Sequence, residues 1–220
     1  MSYAFMKILE SAPERYDAGI NILTLGRLRC LKQDIVNEFI NKDDKVLELG
    51  CGTGSLAILC ARKGTEVTGI DLSPKMLAIA HRKINKAGLT DKIKLLRMSA
   101  MDIDTTFDTN SFDVITSTLV FSEMSREEIR YVLNQCLRVL KANGSLLIAD
   151  EIMPQSPFGK FLLFLFRLPF AIIAYIFTQT ITRAVASLDE DLRQAGFSLI
   201  KTKSYLMGTM RLFQARKVVT

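Results

Sequence analysis

Residues 45–54 read KVLELGCGTG, an apolar run followed by three glycines in five positions. A short apolar run bounded by turn residues reads as a buried strand. Glycines this dense cost backbone entropy, which a simple turn does not require. The stretch therefore predicts a core strand that feeds a turn built for close approach of another molecule.

The rest of the chain alternates around that strand. A helical pattern runs from about Arg29 to Asn41, ahead of the KVLELG strand. SLAILCARKG reads as a helix closed by Gly64. EVTGID is a second strand, and Ser73-Pro74 opens a helix that Gly88 closes. KIKLLRM and FDVITS give two further strands. Ser125 with Glu128 forms a capping box for a helix to about Lys141, and GSLLIAD is a fifth strand. Ser187 and Glu190 predict another capping box, before LDEDLRQAG. FSLIKTKSY and RLFQARKVV, a short turn apart, predict antiparallel neighbours. Strands alternating with helices over short connections give an α/β fold, an open and mostly parallel sheet with helices on both faces. In such sheets ligands sit at the carboxyl ends of the strands, near the point where strand order reverses.

Composition narrows the options. The chain has 220 residues, 49% hydrophobic and 24% charged, enough for one domain with a full core. The net charge of +6 is spread along the sequence without a basic run, which argues against a nucleic-acid partner. Cys30, Cys51, Cys60 and Cys136 lack C-x-x-C or framework spacing and predict reduced thiols in a cytoplasmic protein. A single histidine, His81, predicts no metal site. Lys7, Glu10, Glu14 and Arg15 interrupt any secretory signal in the first twenty residues.

Three ligand classes compete for the glycine turn. A phosphate loop needs Lys followed by Ser or Thr after its last glycine, and Gly54 is followed by Ser55-Leu56. The dinucleotide fingerprint G-x-G-x-x-G matches Gly50 and Gly52 but has Ser55 in third place. Glu48, just before the turn, is unfavourable beside a pyrophosphate and favourable beside a cationic sulfonium donor. Asp71 ends the second strand and can accept from both hydroxyls of a ribose, which serves either cofactor.

Together, VLELGCGTG, VTGIDLSPKML, FDVITSTLVFSEM and LRVLKANGSLLIADE resemble class I S-adenosylmethionine-dependent methyltransferases, over roughly residues 45–152. Within that superfamily the chain looks like the group of ubiquinone and menaquinone C-methyltransferases. The flanks ESAPERYDAGINILTLGRL and RLPFAIIAYIFTQTITRAV resemble the corrinoid protein-associated methyltransferases. The resemblance implies a Rossmann-like sheet of seven strands, the last antiparallel, in a single domain over 1–220. It implies S-adenosyl-L-methionine as donor and S-adenosyl-L-homocysteine as product. Carried over by residue, Glu48, Gly50, Cys51 and Gly52 line the methionine part, with Gly54 close by. Asp71 holds the ribose, and Leu72 and Met76 pack on the adenine. Ala100 and Met101 meet the adenine edge through their backbone, with Ser99 where the superfamily usually has an acid. Ser117 approaches the methionine moiety, and Tyr16 closes over the cofactor.

Methyl transfer from a sulfonium needs alignment and exclusion of water more than a dedicated base, so no catalytic residue is assigned. Phe121, Glu123, Tyr175 and Arg183 are the candidates for the acceptor site. Glu123 would serve as base or as ligand for a cationic acceptor, or simply cap the next helix. Arg183 would neutralise an anionic acceptor, or simply stand as a surface charge. The apolar run at 161–178 nearly reaches the length of a membrane span, but Arg167 and Pro169 interrupt it. A crossing there would also separate the last two strands from their sheet. It reads instead as a helical insertion over about 157–183, a lid that with the 1–28 segment covers the acceptor. The lid is buried, paired with a corrinoid protein or a like subunit, or dipped into a membrane interface. The expected function is methyl transfer to a small-molecule, lipidic or corrinoid-associated acceptor. The alternatives are a docking module that binds the donor without transferring its methyl group, and a nicotinamide oxidoreductase.

Overall fold

The computed structural model describes residues 16–24, 26–151, 187–205 and 208–218. The apolar insertion expected over 157–183 lies outside them, as do Tyr175 and Arg183. In chain order the elements are α1 (Tyr16–Leu23), α2 (Arg27–Phe39), β1 (Lys45–Leu49), α3 (Ser55–Arg62), β2 (Glu66–Asp71), α4 (Pro74–Ala87) and β3 (Ile93–Arg97). There follow α5 (Ile103–Thr106), β4 (Phe112–Thr118), α6 (Arg126–Val139), β5 (Leu140–Glu151), α7 (Leu188–Gln194), β6 (Phe197–Tyr205) and β7 (Met210–Lys217). Short 3-10 turns cover Ala100–Asp102 and Phe121–Glu123.

The seven strands form one sheet in the order β3-β2-β1-β4-β5-β7-β6. β1, β2, β3, β4 and β5 are parallel where they pair, and β7 runs antiparallel to both β5 and β6. Strand order reverses between β1 and β4, which opens a crevice at their carboxyl ends. β1 earns its central place by sequence: after Lys45 all of its residues are buried.

Helix boundaries follow the local chemistry. Ser73 caps α4 by accepting from the Met76 N–H, Pro74 takes the first helical position, and Gly88 closes the helix at φ 67°. Its buried residues Met76, Ile79, Ala80 and Ile84 fall at helical spacing on one face. Ser125 and Glu128 form the expected capping box on α6. The box expected at Ser187 does not form. Ser187 sits at φ 62° and makes no capping bond to α7. The backbone there turns left-handed before the helix, and a side chain on that bend is not in the extended cap conformation.

Two apolar layers cover the sheet. One joins Leu31, Ile35, Leu56 and Ile84 from α2, α3 and α4 to Val46 and Val67. The other joins Ile103, Phe121, Leu133 and Leu192 to Leu47, Ile115 and Ile148. Each fully buried aliphatic side chain contributes about 1.5–3 kcal/mol relative to exposure. A polar clamp adds a long-range tie. On β6, Lys203 Nζ reaches Asp34 at 2.7 Å and Glu38 at 2.8 Å on α2, and Tyr205 donates to Asp34 at 2.6 Å.

Candidate active site

The glycine turn leaves β1 at the crevice. Gly50, Gly52 and Gly54 all take positive φ, at 64°, 53° and 73°. Gly50 is the most constrained: a Cβ there would lie 2.3 Å from Val120 Cγ2, on the segment after β4. The turn and the β4 end thus come close only because Gly50 carries no side chain. The second strand fixes the turn from the other side. Asp71 accepts from Gly52 N–H at 2.7 Å and from Ser73 N–H at 2.8 Å, one bond on each oxygen.

Two cavities meet at this turn, and Tyr16, Gly50, Gly52, Thr118 and Leu119 edge both. The smaller, about 290 Å³, runs along Asp71, Leu72, Met76 and the Met98–Met101 segment, with Val120, Glu123 and Met124 opposite. The larger, about 670 Å³, extends the other way between α1, α2, α3 and α4. Both volumes are near or within the ~300–1,000 Å³ typical of small-molecule sites.

Ser99 is occupied locally. Its hydroxyl accepts from Met101 N–H at 3.1 Å, while Asp102 accepts from Ser99 N–H at 3.2 Å, which caps the short turn. The acid that this segment supplies therefore lies at Asp102, three residues on, and is spent on the backbone. Asp150, at the end of β5, shapes the opposite wall by accepting from Ser122 N–H at 3.1 Å. Burial pushes the Asp150 carboxyl up to about 6, against those hydrogen bonds.

The larger cavity carries the unusual electrostatics. Glu48 is 2% exposed, and one of its oxygens, Oε2, has no hydrogen-bond partner. Burial pushes its carboxyl up to about 8, with Lys32 and the Ala57 backbone N–H opposing the shift. Lys32 is pulled down by burial while Glu48 and Asp17 oppose that, and its Nζ donates to Ser55 Oγ at 2.6 Å. Beside them, Asp17 on α1 accepts from Thr53 Oγ1 at 2.7 Å and from Lys83 Nζ at 2.6 Å. Lys83 also reaches Thr53 Oγ1 at 3.0 Å. Burial opposes the ionised form of Asp17, but the bonds from Lys83 and Thr53 outweigh it and hold the carboxyl below its ordinary value. This ring fastens α1 to the glycine turn and to α4.

Of the residues singled out in the sequence, the structure gathers Tyr16, Glu48, Gly50, Cys51, Gly52, Asp71, Leu72, Met76, Ser99, Ala100, Met101 and Glu123 around the two cavities. Gly54 lies just behind, at the start of α3, against Ala80. Ser117 is fully buried in β4 and lines neither cavity; its neighbour Thr118 does. Phe121 is also fully buried and lines neither, because its ring packs into the core layer under α6. It is thus corrected from an acceptor contact to a core residue. Asp17, Lys32, Thr53 and Lys83 were not anticipated, since their partners lie 23 to 66 positions apart.

Known proteins share both the sequence pattern and the architecture. A family described as a methyltransferase domain matches residues 46–144. An uncharacterised methyltransferase of Synechocystis is 29% identical over 193 residues, 87% of this chain and 84% of that protein. A demethylmenaquinone methyltransferase of Thermotoga maritima is 32% identical over 154 residues, 69% of this chain and 63% of the relative. One from Listeria monocytogenes is 28% identical over 92% of this chain and 90% of its own length. Among solved structures, magnesium protoporphyrin IX methyltransferase of Synechocystis with bound S-adenosylhomocysteine superposes with a TM-score of 0.65. It is 18% identical over 86% of this chain and 81% of its own, a likeness of fold alone. The sheet order, the glycine turn at its reversal point and these relatives together make the chain a class I S-adenosylmethionine-dependent methyltransferase. Within that class it resembles the quinone methyltransferase group, and S-adenosylmethionine is its cofactor.

Proposed function

We propose that the chain moves the S-methyl group of S-adenosylmethionine to a small, largely apolar acceptor that reaches the crevice through the larger cavity. The observation that carries this reading is the junction of the two cavities at Gly50, Gly52, Thr118 and Leu119, with Ile20, Leu28, Ile58 and Leu59 forming apolar walls on the far side. In this reading the adenosyl part occupies the smaller cavity. Asp71 would hold the ribose, since a carboxylate offers about four lone-pair sites. Leu72, Met76, Ala100 and Met101 give the adenine its apolar and backbone edges.

The residues fit a phosphate-free cation. Glu48 Oε2 and Thr118 Oγ1 are buried without protein partners, and the space above Gly52 where a Cβ would stand is open. A bound ammonium would satisfy Glu48 and favour its ionised form. The sulfonium supplies an already activated methyl group. The chain's part is to align the acceptor along the transfer axis and to keep water out. Tyr16 lines both cavities, which supports a role for it in closing over their junction.

A lipid-like acceptor also accords with the demethylmenaquinone methyltransferases among the relatives. A corrinoid protein, a membrane surface or a like subunit would engage the 157–183 segment, which lies outside the described residues. Among the described residues no helix is long and apolar enough to cross a membrane. The test is release of S-adenosylhomocysteine with a panel of acceptors, including a short-chain prenylated naphthoquinol, long-chain acids and a methyl-accepting corrinoid protein. Turnover with an apolar small molecule is the expected result. Tight binding of S-adenosylhomocysteine with no turnover on any acceptor would favour the docking module instead.

A further inference from the structure

The charge balance of the larger cavity says more about its occupant. Its lining holds Arg29, Lys32, Arg62, Lys83 and Lys86 against only Asp17 and Glu48. Lys83 is spent on Asp17, and Lys32 donates inward to Ser55. Glu48, pushed up to about 8 by burial, adds little negative charge at neutral pH in the free protein, and a bound donor ammonium would match it once ionised. Arg29, Arg62 and Lys86 remain, all exposed. None of the three has a protein acceptor among the described residues. They come from α2, α3 and α4, three separate helices whose side chains converge on one cavity. Below them the walls are aliphatic: Ile20 and Leu28 are buried core, and Ile58, Leu59 and Ala87 complete the slot.

A pocket whose walls are largely aliphatic, whose inner charges are matched within the protein or by the donor, and whose margin is cationic selects for a two-part ligand. An apolar body removes the walls from water, and an anionic head meets the guanidinium groups, whose planar forks suit carboxylate or phosphate. A neutral lipid would leave the cations unmatched, and a small polar anion would leave the walls wet. The smaller cavity has a different character, with Glu123 and Asp71 among its walls and no lysine or arginine.

We propose that the larger cavity binds an amphipathic anion, a single apolar body bearing a carboxylate or phosphate, with its head held by Arg29, Arg62 and Lys86 and its apolar body directed toward the Gly50–Thr118 junction. The proposal deepens the acceptor reading above and rests on the adenosyl part of the donor filling the smaller cavity.

The test is calorimetric titration of the full chain with dodecanoate, dodecyl phosphate and dodecanol, the two anions below their micelle concentrations and the alcohol below its solubility limit. Titration with S-adenosylhomocysteine runs in parallel. Dodecanoate or dodecyl phosphate is expected to bind saturably with one site, at least tenfold tighter than dodecanol. The preferred head, carboxylate or phosphate, is read from the ratio of the two. The triple variant Arg29→Gln, Arg62→Gln, Lys86→Gln, at three exposed positions, is expected to erase that preference while S-adenosylhomocysteine binds within twofold of the parent. Equal binding of dodecanol and dodecanoate, or an unchanged preference in the variant, would overturn the proposal. Because the alcohol comparison is made on the unaltered chain, it decides even if the variant fails to fold. Loss of S-adenosylhomocysteine binding alone, with dodecanoate still bound, would instead remove the donor assignment and leave the anion site standing.

Discussion

The two cavities are built in opposite ways. The smaller is lined by the ends of neighbouring strands and the turns that follow them, so its shape is written in short local motifs. The larger is lined by side chains from four helices, brought together only when the apolar layer over the sheet is complete. The first is therefore set by backbone geometry and tolerates few substitutions. The second is set by side-chain choice and can change its ligand while the fold stands.

Substitution at the shared edge should produce the largest effect. Gly50→Ala places a Cβ 2.3 Å from Val120 Cγ2 on a backbone at φ 64°. Val120 is β-branched and yields poorly, so a stability loss of about 1–3 kcal/mol is expected. Binding of S-adenosylhomocysteine should fall below detection in calorimetry, and the melting temperature should drop with it. Next comes Asp71→Ala, at a residue that lines only the smaller cavity and ties down the shared turn through Gly52 N–H. Losing a charged acceptor of about 1.5–3 kcal/mol predicts a ten- to hundredfold loss of S-adenosylhomocysteine affinity. Dodecanoate binding should fall far less, by no more than about twofold, because its head and walls lie on the helices. A parallel loss of both ligands would show that the cavities do not act separately.

Glu48 offers a sharper test because it faces the larger cavity and is proposed to serve the donor. Its carboxyl is raised to about 8, so near pH 7 the free protein holds it mostly neutral. Pairing with a bound ammonium requires the ionised form. Donor binding should therefore release a proton, and affinity should rise with pH until about 8. Calorimetry at pH 7 in buffers of different ionisation enthalpy should report close to one proton released, and none in Glu48→Gln. The smallest effect is expected for Asp17→Asn. Its bond to Lys83 is half exposed and belongs with surface pairs of about 0–1 kcal/mol. Hydrogen exchange should quicken in residues 16–23 and little elsewhere.

The contrast between the cavities also separates what could be read in the sequence from what could not. Strand order around the turn, the Ser73–Pro74 start, the Gly88 stop and the Ser125 capping box are contacts within a few residues, and the alphabet encodes them directly. The same rule failed at Ser187, where the backbone preceding α7 bends left-handed and cancels a correct capping pattern. It failed at Phe121 as well. That residue follows a strand at the crevice, but whether a ring there points into the crevice or the core depends on α6, which the local motif does not contain. Lys32 with Ser55, and Asp17 with Lys83, were invisible for the same reason. Lysine and aspartate on helices are ordinary surface residues until packing puts them across from one another.

The clamp between α2 and β6 has a consequence for how this protein is made. Asp34 and Lys203 stand 169 positions apart, so the ordering entropy of a long loop is paid before their bond forms. A ribosome delivers the charged face of α2 well before the strand that completes it, 169 positions further on. Leu28, Arg29 and Lys32 lie on that same helix, so a growing chain holds an unfinished pocket until β6 has been made. Nascent polypeptides arrested before residue 197 would have every element of the glycine turn, yet the wall beside it would lack its last anchor.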